Sequence, residues 1–205
     1  MQRYDVATLS IRTATAAKAL VGIDTFLAGP GSNGKLLAVW TAEIGTLNQI
    51  QVIRGYDDHG ALAADRDRML VDGDLFGAND FLTGVTLESY APFPFLAPMP
   101  TGSFGPVYEV RVYGIKPGGI APVIAAWREA LPPRVKLSPI LFAGYALDGA
   151  TPRMLHICPY PSVNDRTRVR GEAVAAGIWP PKGGPDWLTT MQSTIFMPAK
   201  FSPLQ

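Results

Sequence analysis

Hydrophobic and polar positions along the chain fall into two matching series. The segment YDVATLSIR, residues 4–12, has the length and mixed apolar pattern of a short strand and ends in isoleucine followed by a cation; YEVRVYGIK, residues 108–116, does the same. Each is followed by an alanine-rich amphipathic stretch. In the second of these, Ile120, Val123, Ile124 and Trp127 recur at helical spacing and Leu131 continues the stripe. Pro117 suits a helix start, and the pair Pro132-Pro133 predicts its stop. From Trp40 to Leu70 the pattern is a strand, a break at Gly45, a second strand and a polar turn into a helix.

The series repeats at an offset of 104, which places Tyr4 on Tyr108 and Tyr56 on Tyr160. KLLAVWTAEIG matches SPILFAGYALDG, LNQIQVIRGYDD matches TPRMLHICPYPS, and two charged helical stretches follow, HGALAADRDRMLVDG and VNDRTRVRGEAVAAG. Both halves close on an extended segment. Each half therefore reads β-α-β-β-α-β, the ferredoxin-like order, in which an antiparallel sheet carries both helices on one face. The expected fold class is α+β, with one ferredoxin-like domain over residues 1–98 and a second over 106–205. The proline- and glycine-rich segment 91–106 includes the linker. The helix-free face of each sheet needs cover. Two sheets facing each other would supply it, either within one chain or from a second copy, and a homodimer with a barrel-like core is expected.

Composition narrows the partners. Hydrophobic residues make up 47% of the 205 residues and charged ones 17%, so a large core is easily supplied. The net charge of +1 gives no electrostatic reason to expect nucleic acid or an anionic membrane as partner. The apolar stretch AAKALVGIDTFLAG is interrupted by Lys18 and Asp24 and is too short to span a bilayer. One cysteine, Cys158, forms no internal disulfide, and no signal-peptide pattern opens the sequence; a cytoplasmic setting is expected.

The block WTAEIGTLNQIQVIRGYDD, the closing FSPL at 201–204 and the paired Y-[DE]-V strand starts resemble the NIPSNAP family across nearly the whole chain. The family-like positions are Trp40, Glu43, Gly45, Asn48 and Tyr56, followed by the helix bearing Arg66 and Arg68. The second half departs from this pattern, with proline where Asn48 would fall. The resemblance implies the dimeric α+β barrel superfamily. Relatives there include haem-degrading monooxygenases, cofactor-independent oxygenases of aromatic substrates and haem peroxidase-like enzymes, so the site must decide the chemistry.

Candidate site residues are few. Glu43 and Asn48 flank the Gly45 break: the carboxylate suits a general base and the amide suits orienting a carbonyl, or else both simply furnish a hairpin tip, the simpler reading. His156 shares a strand face with Met154, Cys158 and Tyr160; it is a haem ligand or proton carrier if that face lines a cavity, and otherwise a core histidine. Asp57, Asp58 and His59 read as a helix cap rather than a metal site, and no metal is expected. GPGSNGK, 29–35, lacks phosphate-loop spacing and reads as a helix end and turn. Arg166 and Arg170 share a helix face that could bind an anion, although a solvated face is the simpler reading. Cys158, on an apolar strand, reads as an inert thiol.

Two function classes remain. In the first, a pocket between the two sheets, or between sheet and helix layers, lined by Trp40, Asn48, Tyr56 and Tyr160, takes an apolar, aromatic or haem-like small molecule, with Glu43 or His156 as the titrating group of an oxygenase-like reaction. In the second, the chain is a non-catalytic interaction or scaffold protein, a class favoured by the sparse polar constellation.

Overall fold

The computed structural model describes residues 1–29 and 33–205; residues 30–32, within the glycine-rich segment 29–35, lie outside the described residues. The first half runs β1 (Arg3–Ile11), α1 (Ala16–Ala28), β2 (Lys35–Ile44), β3 (Gln49–Tyr56), α2 (His59–Asp72) and β4 (Leu82–Pro92). The second half runs β5 (Val107–Ile115), α3 (Ile120–Val135), β6 (Phe142–Ala146), β7 (Arg153–Tyr160), α4 (Val163–Ala175) and β8 (Leu188–Pro198).

Within the first half the strands order as β4-β1-β3-β2, and within the second as β8-β5-β7-β6, all antiparallel. The halves then join edge to edge. At one seam β2 pairs with β8, placing Trp40 opposite Pro198 and Ala42 opposite Phe196. At the other β4 pairs with β6, placing Tyr90 opposite Ala146 and Pro92 opposite Gly144. The result is a closed eight-stranded barrel that leaves no free sheet edge. Closure within one chain covers the inner faces, so the second copy invoked above as cover is not needed for that purpose.

Strand alternation sorts the side chains. Tyr4 and Val6 of β1 point into the barrel with Trp40, Tyr90, Tyr108 and Phe142, while Ala7, Leu9 and Ile11 point outward under the helices. In the first half Ala19, Ile23 and Met69 cover that outer face; in the second Val123, Trp127 and Leu131 do so. Helix α3 runs through Pro132 and Pro133 to Val135 instead of stopping before them. Proline lacks a donor but its φ is helical, and Arg134 secures the extra turn by donating to the Ser138 carbonyl at 3.0 Å.

The C-terminal segment closes one barrel end. The Ser202 hydroxyl accepts from Val39 N at 3.0 Å and donates to the Leu204 carbonyl at 2.8 Å. Gly102 N donates to Pro203 O at 2.9 Å, which ties the linker to the same segment. Gly105 has φ +127°, and a Cβ there would lie 2.5 Å from the Tyr160 carbonyl oxygen, so only glycine lets the linker pass.

Candidate functional site

The six side chains singled out from the sequence occupy separate places. Trp40 is fully buried inside the barrel, stacked on Tyr108 at 4.4 Å. Tyr56 lies in the first helix layer and donates to Asp65 at 2.6 Å. His156 and Tyr160 are buried in the second helix layer. Glu43 and Asn48 are exposed at the β2–β3 turn, where Asn48 takes φ +56° and its amide donates to the Thr13 hydroxyl at 3.4 Å. Asp58 caps α2 by accepting from Ala61 N at 2.8 Å. No group of metal-binding side chains occurs among the described residues.

The two helix layers provide an internal comparison, because β1 and β5, β3 and β7, and the starts of α1 and α3 correspond at the 104-residue offset. The first layer holds Ala7, Leu9, Ile23 and Val52 in a closed apolar core. The second carries Arg111, Tyr113, Trp127 and His156 at the same positions. The first layer also contains a balanced ion cluster. Arg54 bonds Asp5 at 2.7 Å and Asp65 at 2.5 Å, Arg66 bonds Asp5 at 2.7 Å and Asp148 at 2.9 Å, and Arg68 bonds Asp65 at 2.7 Å. In the second layer Cys158 and Val169 replace Arg54 and Asp65, and one buried carboxylate, Glu109, is left. Its Oε1 accepts from Arg166 and from Ser193, each at 2.6 Å, and lies 3.4 Å from Arg111 Nη1. Burial acts to raise the Glu109 pKa, but these hydrogen bonds and the Arg111 charge outweigh it and hold the carboxyl below its usual range.

A cavity of about 280 Å³ opens beside this group, between α3, α4, β5, β8 and the segment 179–185. Tyr113, Trp127 and Trp179 form its aromatic wall, Arg111 and Arg170 its cationic one, and the exposed Val174 and Met191 flank it. The Trp127 ring is fixed by edge-on contacts to Trp179 at 4.8 Å, His156 at 4.9 Å and Phe93 at 5.7 Å, which pre-form the wall. His156 is packed behind that wall and does not line the cavity. Burial, then the Arg111 charge, pushes its pKa down to about 3, so the imidazole is neutral near pH 7. Burial likewise raises the Cys158 thiol to about 11, which keeps it protonated.

A larger cavity, about 680 Å³, lies at the open end of the barrel. The expectation of an aromatic inter-sheet pocket does not hold there. Trp40, Tyr108, Tyr4 and Phe142 pack the opposite end, and this one is lined by Thr8, Gln51, Thr86, Thr194 and the Arg153–Glu88 pair at 2.6 Å. Arg153 also donates to Tyr90 Oη at 3.3 Å, and that hydroxyl bonds Glu88 at 3.0 Å. Val110, Val112, Leu155 and Phe196 supply apolar parts of the wall, so the lumen is mixed in polarity and its one charged pair is internally balanced.

Haem does not fit these residues. His156 lines neither cavity, Cys158 and Tyr160 are buried with it, and 280 Å³ is small for a macrocycle needing an axial ligand. Nothing in the sequence pattern announced Arg111: it alternates with apolar residues in a strand and resembles any outward cation. Arg170 was visible as one of a helical pair, yet only the fold brings it to Arg111.

The NIPSNAP family model matches residues 4–81 and 108–203, one segment in each half. Among solved structures, a "putative monooxygenase" from Lactobacillus acidophilus superposes with TM-score 0.70 at 11% identity, covering 96% of this chain and 94% of that one. A second, from Fusobacterium nucleatum, gives TM-score 0.71 at 10% identity over 97% and 92% of the two chains. An "anthrone oxidase-like protein" gives 0.70 at 9% over 97% and 91%. Identities this low speak for the fold alone. No curated protein matches the chain.

Proposed function

The chain belongs to the NIPSNAP family, and from that premise we propose that it binds a small planar aromatic compound in the helix-layer cavity of its second half. The observation carrying this reading is the contrast between the two layers. Where Leu9 and Ile23 close the first, Tyr113 and Trp127 flank an opening in the second. A cavity near 280 Å³ suits a ligand of one or two rings. The names of the fold neighbours make oxidation of a phenolic or polycyclic aromatic the first reaction to test. Among the described residues no carboxylate, histidine, lysine or cysteine lines the cavity, so ligand binding is the reading, and Glu43 is not placed in the reaction.

Trp127 and Trp179 report on the site by their own fluorescence. Titration with a panel of one- and two-ring aromatics is expected to quench emission saturably, and Val174→Phe, an exposed change at the flank that adds bulk without a new fluorophore in the tryptophan band, is expected to abolish that quenching without unfolding. Quenching that survives the block puts the ligand elsewhere, and a panel without binders defeats the reading. Oxygen uptake with each binder then separates turnover from binding.

A further inference from the structure

We propose that the ligand of this cavity is an aromatic carboxylate, its carboxylate held by Arg111 with Arg170 and its ring by Trp127, Trp179 and Tyr113. The inference rests on the cavity reading above and adds the charge of the ligand.

Arg111 is more than nine-tenths buried, yet its Nε and Nη1 have no hydrogen-bond partner among the described residues. The Tyr113 ring lies 5.2 Å from the Arg111 Cζ, but burying two guanidinium donors without hydrogen bonds is costly, because they lose water and gain no acceptor. The fold does not require a cation here: the equivalent position in the first half is Ala7, fully buried in an apolar core. Glu109 offsets part of the charge through an ion pair at 3.4 Å but accepts no hydrogen bond from Arg111 Nε or Nη1. Its Oε1 is taken by Arg166 and Ser193 at 2.6 Å each.

The excess is larger than one charge. Arg170 forms no ion pair among the described residues, whereas its counterpart Arg66 holds two aspartates. Arg134, 3% exposed, has no carboxylate partner among the described residues: it donates to Ser138 and the Tyr160 hydroxyl and lies 5.9 Å from the Trp179 ring. The first layer sets three arginines against three aspartates; in the second, Arg168 pairs with Asp165 and Glu172, and the other four arginines, Arg111, Arg134, Arg166 and Arg170, have one buried carboxylate, Glu109, among them. An anion entering the cavity meets a field already built for it, and the planar guanidinium fork matches a carboxylate. The remaining wall is aromatic and apolar, which selects a flat hydrophobic body over an inorganic anion.

Calorimetry with matched pairs tests the charge at constant shape: benzoate against benzamide, and indole-3-carboxylate against indole-3-carboxamide, at pH 7. The carboxylates are expected to bind at least about tenfold tighter. Arg111→Ala installs the residue that the first half carries, and it is expected to erase the preference. Arg170→Gln, on the half-buried helix face, is expected to weaken the carboxylates about fivefold and leave the amides unchanged. Equal binding of acid and amide overturns the anion inference while the aromatic cavity stands. A preference that survives both substitutions overturns it as well. Binding by neither member of either pair defeats the cavity reading and this inference together.

Discussion

His156 shows how one position changes meaning between the halves. Its counterpart is Val52, and it is wedged between Tyr113 and Trp127 at ring distances of 5.2 and 4.9 Å. Its pKa falls from an ordinary 6.5 to about 3 on burial beside Arg111. Above pH 6.5 folded and unfolded chains both hold it neutral, and its contribution to stability is complete. Below that value the unfolded chain takes the proton first, so stability falls with pH until the folded imidazole protonates near 3. The slope reaches at most about 1.4 kcal/mol per pH unit. Glu109 and Asp148, held below their usual carboxylate values, lose their contributions only at lower pH, below their unfolded pKa values of about 4. His156→Val should therefore flatten urea-derived stability between pH 6.5 and about 4.5 and leave the steeper acid limb; an unchanged slope in that window would show that the imidazole is not held neutral. From the sequence this histidine reads as a core residue first, and as a cavity residue only if its apolar strand face lines an open space. That face is real, but it belongs to the helix side, and alternation alone does not say which side of a sheet holds the open space.

The elements were more legible than their seams. The repeated strand–helix pattern predicts every strand and helix in order, since period and turn chemistry are local. The β2·β8 and β4·β6 seams join residues far apart in sequence and leave no local signal. The family-like positions illustrate the gap. Trp40 packs on Tyr108 and reaches toward the Leu204 carbonyl at 3.5 Å, so the family-like tryptophan and the closing FSPL are two parts of one barrel end. At the other seam Gly144 packs so close that an added Cβ would lie 2.6 Å from the Ala91 backbone oxygen on β4. No side-chain rotation relieves that contact. Gly144→Ala is expected to lower stability by roughly 1–3 kcal/mol. Gly171, on α4 with nothing within 4 Å of its added Cβ, serves as the control: Gly171→Ala should raise stability by roughly 0.5–1 kcal/mol. Thermal or denaturant unfolding of both variants decides, and equal effects would mean the seam tolerates a shift of its strands.

At the scale of the molecule, the fused chain does what two copies of one half would do by pairing, and it does so without being symmetric. Strand β8 stands to the second half as β4 does to the first, and β6 stands as β2, so both seams are the same kind of junction. Residues 1–98 alone would expose β2 and β4 as open edges, together with an inner face bearing Tyr4, Val6, Trp40 and Tyr90. Two copies can satisfy all of this by pairing β2 of each with β4 of the other, which rebuilds an eight-stranded barrel. The fragment is thus predicted to elute as a dimer in light-scattering chromatography, and a folded monomer would contradict the account of the seams. The same fragment carries the ligand argument one step further. Both of its helix layers would be of the Leu9–Ile23 kind, closed by apolar packing, with Arg54 and Arg66 still on Asp5 and Arg54 and Arg68 on Asp65, and with no counterpart of Arg111 or Trp127. It should fold and dimerise yet bind none of the aromatic acids that the full chain binds. Fusing the halves frees each helix layer to differ: one can remain the filled, charge-balanced support while the other opens and carries Arg111 where the first has Ala7.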